Sequence, residues 1–549
     1  MKTGGQLIVD ALEANGVETV FCVPGESYLA VLDALHDSAI RTIVCRQEGG
    51  AAMMADCAGR LTGKPGVCFV TRGPGATNAS AGVHIAAQDS VPMILFIGQV
   101  ARGNLEREAF QEVDYKAFYG SIAKWVVEID DPARVPEFVT RAFAVATSGR
   151  PGPVVVSLPE DMLTAECETV APLPWTPVET APDPHLVQRA VDLLAAAERP
   201  IAILGGTRWS ARAVADFQRS AESWSLPVGC SFRRQMLFDH LHPCYAGDIG
   251  IGPNPKLAAA VRQADVVLLI GGRFGEMPSS DYSLLKSPYP DQTLIHVHPD
   301  AGELGRVYRP TIAINASPEA FTAAFAGRGP KAPPAWADRT EEMHRAYLDW
   351  STPPESGPGD VHMGPIMRHL ESVLPDDAIL TNGAGNYATW IHRFHRFRRF
   401  ATQGAPTSGS MGYGTPAAVA AKALFPEREV VAFAGDGCFL MNGQEFATAV
   451  QYGLPIVVIV VNNGIYGTIR MHQEREYPGR PVATDLVNPD FAALARAYGG
   501  HGETVEKTED FAPAFERARA AGRPAIVEVR LDPEAITPTR TLTDIREKR

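Results

Sequence analysis

Residues 430–467 read VVAFAGDGCFLMNGQEFATAVQYGLPIVVIVVNNGIYG. An apolar run ends at Gly435-Asp436-Gly437, a helical pattern continues to Tyr452, and a Gly-Leu-Pro turn opens a second apolar run that ends at Asn462-Asn463. That order is a βαβ unit. Its two strands run parallel, so their C-terminal tips share one sheet edge, the edge at which open α/β sheets bind ligands. Asp436 and Asn463 therefore emerge side by side. A carboxylate beside an amide oxygen is a hard-oxygen pair, suited to Mg2+ or Ca2+ and poor for zinc. Gly435 and Gly437 let backbone N–H groups approach an anion, and the following helix offers its N-terminus. Alone, G-D-G and N-N-G are ordinary turns. Both at successive strand tips, with only a helix between them, point to a metal and a diphosphate.

Similar Val/Ile-rich runs occur at 66–70, 93–97, 154–158, 201–204, 266–270 and 525–529, with helical patterns between. Strands buried on both faces and alternating with helices predict α/β architecture with parallel sheets. Two Pro-rich polar stretches, 171–185 and 351–360, read as surface linkers. They divide a chain too long for one core into segments 1–170, 185–345 and 358–535, with 536–549 as a charged tail or docking segment. No short-period repeat is visible. The 549 residues are 45% hydrophobic and 21% charged, as in soluble globular proteins. The net charge of −13, without long blocks of one sign, argues against nucleic acid or an anionic membrane as partner. Eight cysteines stand singly, which suits free thiols in a reducing compartment. The N-terminus runs into an amphipathic helix without the apolar core of a signal peptide. The run Ile456–Val461 is about a third of a membrane span. A soluble, cytoplasmic protein is expected.

G-D-G followed at this distance by N-N resembles the signature of thiamine-diphosphate enzymes, closest in detail to the acetolactate synthase, benzaldehyde lyase and benzoylformate decarboxylase branch. The resemblance implies three doubly wound parallel-sheet domains in chain order: pyrimidine-binding, middle Rossmann-like and diphosphate-binding. It implies thiamine diphosphate with Mg2+, the metal held by Asp436, Asn463 and the carbonyl of Ile465. Gly435, Gly437, Cys438 and Tyr466 then lie along the cofactor. TNGAGNYATW resembles the family's diphosphate loop and nominates Gly385, Asn386 and Tyr387. PTSGSMGYGTP resembles its G-x-M-G-x-G segment, in which Met411 wedges between the cofactor rings and the Gly409 carbonyl accepts from the aminopyrimidine. A Met before an Ala-rich helix is otherwise ordinary core.

Residues 41–78, RTIVCRQEGGAAMMADCAGRLTGKPGVCFVTRGPGATN, place Glu48 between a short strand and an Ala-rich helix. Such an acid can simply favour the helix macrodipole. The stretch resembles, however, the family's R-H-E-x-x-A-A followed by T-x-G-P-G-A-T-N. On that match Glu48 holds the proton that makes the aminopyrimidine reactive, and Asn78 is a cofactor-binding residue. The resemblance also implies that Glu48 and the diphosphate site of one cofactor come from different subunits, making a homodimer the minimum and a homotetramer the expected form.

GQVARGNLEREAFQEVDYKAFYGSIAKW resembles the acetolactate synthase pattern G-Q-V…A-F-Q-E-x-D…K and puts Phe110, Gln111 and Lys124 on the substrate side, with surface or interface packing as the alternative. Three departures follow. His472 stands where synthases carry a Trp that selects the second oxo acid. Arg273-Phe274-Gly275-Glu276 replaces the R-F-D-D-R of their flavin domain, and HPDAGELGRV resembles benzaldehyde lyase, which lacks flavin; FAD stays as an alternative cofactor. CVPGESYLAVLDAL resembles the pyruvate-type decarboxylases, with Glu26 in place of their proton-transferring Asp, although their paired histidines do not appear. Arg72 adds positive charge where synthases tend to have Ser. The expected activity is decarboxylation of pyruvate or a related 2-oxo acid and addition to a second carbonyl. The rivals are a lyase or decarboxylase on a bulkier 2-oxo or 2-hydroxy carbonyl compound or aldehyde, an FAD-linked oxidoreductase, and a non-catalytic cofactor sensor.

Overall fold

The computed structural model describes residues 1–168, 171–330 and 334–548; the expected boundary at residue 170 and the terminal Arg549 fall outside them. The apolar runs form three six-stranded, wholly parallel sheets. The first comprises β1 (Thr19–Cys22), β2 (Arg41–Val44), β3 (Gly66–Val70), β4 (Met93–Gln99), β5 (Trp125–Glu128) and β6 (Pro153–Pro159). The second comprises β7 (Ile201–Leu204), β8 (Val228–Ser231), β9 (Tyr245–Ile249), β10 (Val266–Ile270), β11 (Thr293–His298) and β12 (Ile312–Asn315). The third comprises β13 (Ile379–Asn382), β14 (Gln403–Gly404), β15 (Val430–Gly435), β16 (Val457–Asn462), β17 (His501–Val505) and β18 (Ala525–Arg530).

Strand order in the first sheet is β2-β1-β3-β4-β6-β5, and in the third β14-β13-β15-β16-β18-β17. These are one topology, 2-1-3-4-6-5, used twice. The middle sheet, β9-β8-β7-β10-β11-β12, has instead the 3-2-1-4-5-6 order of dinucleotide-binding folds. No sequence periodicity betrays the shared topology, because strand order does not require residue identity.

The site depends on seven helices: α1 (Glu48–Thr62), α2 (Pro74–Asp89), α3 (Gly414–Leu424), α4 (Asp436–Asn442), α5 (Glu445–Gln451), α6 (Gly467–Glu476) and α7 (Leu542–Arg546). α1 packs between α2 and α3, and one apolar cluster runs through all three and into β15 and β16. Its Ala/Gly composition makes this possible. A Cβ on Gly82 would come 2.4 Å from that of Ala52, and the Cys57 thiol reaches the Ala417 carbonyl at 3.4 Å. The first and third domains thus share a core within one chain. Residues 536–546 dock: Ile536, Leu542 and Ile545 pack against Ile465 and Met471, and Arg546 pairs with buried Glu474. Among the described residues no helix is long and apolar enough to cross a membrane.

Candidate active site

β15 and β16 pair in parallel, with Gly435 opposite Val461, so Asp436 and Asn463 leave adjacent tips. Asp436 is 3% exposed and opens α4. Its carboxylate accepts from Gly437 N, Gly464 N and Asn488 Nδ2, each at 2.8 Å. Burial pushes its carboxyl up, against those donors. Among the described residues no ion pair compensates it. A buried carboxylate without a cationic partner is costly, and a hard divalent cation removes that cost. The Gly437 amide is turned onto Asp436, which leaves it less available to a phosphate than its sequence position suggests.

The two asparagines part company. Asn462 donates to buried Glu528 at 2.7 Å and accepts from Asn488 at 2.8 Å, so it is held inside the protein. Asn463 and Ile465 line, with Asp436, a cavity of about 250 Å3 at the strand tips. Gly385, Asn386, Tyr387, Gly409, Met411, Gly435, Gly437, Cys438 and Tyr466 line it too. Three of its loops need glycine: φ is +144° at Gly385, +69° at Gly409 and +68° at Gly464. A Cβ on Gly437 would meet the Tyr466 ring at 2.5 Å. Tyr387 Oη accepts from Gly383 N at 3.1 Å and contacts Cys438 Sγ at 3.1 Å, while Gly412 N donates to that sulfur at 3.2 Å. These bonds tie the Gly409–Met411 turn to α4. Asn386 donates to the Ile536 carbonyl at 3.2 Å and accepts from Thr468 at 2.9 Å, both of which also line the cavity.

Glu48 does not line this cavity. It opens α1 at the C-terminal edge of the first sheet, where Asn78 Nδ2 donates to its carboxylate at 3.0 Å and Gly75 leaves room for it. A second cluster shares that edge. Arg72, buried, donates to Glu26 at 2.9 Å, to Glu160 at 3.0 Å and to the Phe110 carbonyl at 3.3 Å. Its charge is thereby spent on two carboxylates. Gln111, at φ +66°, covers Gly73, and the Phe110 ring is 74% exposed.

Two of the candidate residues lie away from the cavity. Lys124 precedes β5 and so lies at the opposite, N-terminal edge of the first sheet. Its ammonium donates to the Val145 and Ser148 carbonyls at 2.5 and 2.6 Å, closing the C-terminus of the helix Val135–Thr147. His472 is exposed on α6, accepts from Arg475 at 2.8 Å and does not line the cavity; Thr468 and Ile469 of that helix do. The sequence reading passed over Asn488, Glu160 and Ile536. Asn488 lies in a polar loop with no motif, so nothing local marked it.

Residues 2–118 match the N-terminal TPP binding domain of thiamine pyrophosphate enzymes, 187–325 the central domain and 383–529 the C-terminal TPP binding domain. The chain belongs to the thiamine pyrophosphate enzyme family. It is 33% identical to the acetolactate synthase large subunit of Parasynechococcus marenigrum, over 96% of this chain and 87% of that protein. With the acetolactate synthase isozyme 2 large subunit of Escherichia coli it shares 32% identity over 96% of this chain and 95% of that one. With the probable acetolactate synthase large subunit of Methanocaldococcus jannaschii the figures are 31%, 97% and 93%. For a thiamine pyrophosphate enzyme the hard-oxygen donors Asp436 and Asn463 and the glycine-lined cavity fit a metal-bound diphosphate.

Proposed function

We propose that this thiamine pyrophosphate enzyme is a carboligase of acetolactate-synthase type, which decarboxylates pyruvate or a related 2-oxo acid and joins the remaining acyl unit to a second carbonyl compound. The observation that carries this reading is likeness to acetolactate synthase large subunits along 96% of the chain. The bound cofactor supplies the nucleophilic carbon and the electron sink. On this reading Asp436, Asn463 and the Ile465 carbonyl hold Mg2+ against the diphosphate. Gly435, Gly437, Cys438 and Tyr466 shape the channel for the cofactor's tail, Gly385 and Tyr387 form its far wall, and Met411 and the Gly409 carbonyl orient the rings. Glu48, steadied by Asn78, holds a proton at the aminopyrimidine. A second copy of the chain brings Glu48 to the cavity, so the working unit is a homodimer or homotetramer, placed in the cytoplasm.

Glu26, clamped by Arg72 beside Phe110 and Gln111, favours a second reading, a lyase or decarboxylase on a bulkier substrate. Incubation of the Mg2+- and thiamine-diphosphate-loaded protein with pyruvate, phenylpyruvate, benzoylformate and benzoin separates the two. Acetolactate from pyruvate supports the first; aldehyde release from the bulkier compounds alone overturns it. A visible flavin spectrum in the purified protein would add FAD. Glu48→Gln is expected to keep fold and cofactor binding while activity falls about 100-fold or more; near wild-type turnover would remove Glu48 from its role.

A further inference from the structure

Glu445 opens α5 and is fully buried. It belongs to the third domain, yet its carboxylate serves the first. Oε1 accepts from Gln47 N at 2.9 Å and from Arg46 N at 3.0 Å, and Oε2 accepts from Arg46 N at 3.2 Å and Thr448 Oγ1 at 2.7 Å. Two main-chain amides and a hydroxyl donate to the group, which favours its ionised form against the burial that pushes its carboxyl up. The two amides are those immediately before Glu48. Gly50 is glycine for the same reason, since a Cβ there would come 2.8 Å from Glu445 Oε1.

This arrangement separates two tasks that one acid could have shared. A carboxylate at the start of a helix is normally drawn to its exposed N–H groups and positive end. At α1 the cap comes from Gln47, whose side chain accepts from Gly50 N at 3.0 Å, and the compensating charge comes from Glu445. Glu48 is thereby released: its hydrogen bond among the described residues is from Asn78, on another helix. We propose that Glu445 is a positioning residue that neutralises the α1 terminus in place of Glu48, keeping the Glu48 carboxylate free and turned towards the cofactor's aminopyrimidine. The proposal rests on the reading of Glu48 as the activating acid.

The measurement is exchange of the thiazolium C2 proton for deuterium on the bound cofactor, quenched and read by NMR, with thiamine diphosphate affinity and melting temperature alongside. Glu445→Gln keeps the shape and removes the charge. It is expected to fold, to bind the cofactor within about threefold of wild type, and to exchange about 10-fold more slowly, because Glu48 turns back to its own helix. Combined with Glu48→Gln it adds nothing, since the two act through one carboxylate. Wild-type exchange in Glu445→Gln beside a crippled Glu48→Gln overturns the proposal and spares the reading. Wild-type exchange in Glu48→Gln overturns both. Should Glu445→Gln fail to fold, Thr448→Val, which strips one donor from the carboxylate, is expected to slow exchange about threefold at unchanged affinity; no change there overturns the proposal as well.

Discussion

Asn462 and Asn463 are chemically identical neighbours; Asn462 ends β16 and is held by Glu528 and Asn488, whereas Asn463, just past the strand, lines the cavity. Their different work was legible only through a family pattern, because two amides in a row carry no local signal of direction. Asn488 was illegible for the opposite reason: a distant loop delivers it to Asp436. It orients the carboxylate without lining the cavity, so Asn488→Ala is expected to weaken Mg2+-dependent cofactor binding by about 10–100-fold with the fold intact. Titration of thiamine diphosphate at fixed Mg2+, followed by tryptophan fluorescence, checks this; unchanged affinity would detach Asn488 from the site. Lys124 teaches the reverse lesson. A residue that fits a motif can close a helix at the far end of its sheet. Lys124→Met is expected to cost about 1 kcal/mol of stability, as loss of a helix C-terminal cation does, and to leave KM unchanged. Urea unfolding and steady-state kinetics test the two halves separately.

At the scale of elements, the runs named from sequence all fall on strands of the three sheets. Interior strands are buried on both faces and must be continuously apolar. Edge strands such as β5 and β17 are half-exposed, and their mixed composition hides them. Sheet order is absent from sequence altogether, since pairing partners are chosen by helix packing and crossover handedness. On β9, at the edge of the middle sheet, Asp248 illustrates what pairing can bury: desolvation pushes its carboxyl up to about 7. A folded-state pKa above the unfolded value means stability that is full below pH 4 and is lost as pH rises through 7. Asp248→Asn should therefore melt close to wild type near pH 4 and be about 1–3 kcal/mol more stable at pH 8. Melting curves at the two pH values decide it, and an equal difference at both would refute the assignment.

At the scale of the molecule, one buried ionic knot joins the three domains. Arg60 on α1 pairs with Asp56 at 3.1 Å and with Asp89 at the end of α2. Asp89 also accepts from Thr407 N at 2.9 Å and Ser408 N at 3.1 Å in the third domain, and its carbonyl accepts from Arg234 of the middle domain at 2.9 Å. Burial alone would raise the Asp89 carboxyl; the Arg60 and Arg234 guanidiniums outweigh it and hold it below its ordinary range. The knot pins the segment leading to Gly409 and Met411. Asp89→Ala leaves Arg60 buried without one of its counter-charges, so a loss of about 3–5 kcal/mol is expected, together with weaker cofactor retention. Calorimetry of apo and loaded protein measures both, and an unshifted transition would show the knot to be dispensable. By itself the sequence determined the α/β class, the chemistry at the tips of β15 and β16 and, through family resemblance, the cofactor, because periodicity and short motifs are local properties. Only the tertiary structure decided how Asn462 and Asn488 are held around Asp436, where Lys124 and His472 lie, how Arg72 spends its charge, and that Glu445 reaches across domains to the amides before Glu48. Those contacts join residues far apart in the chain, and their energies depend on burial and geometry that no stretch of sequence carries.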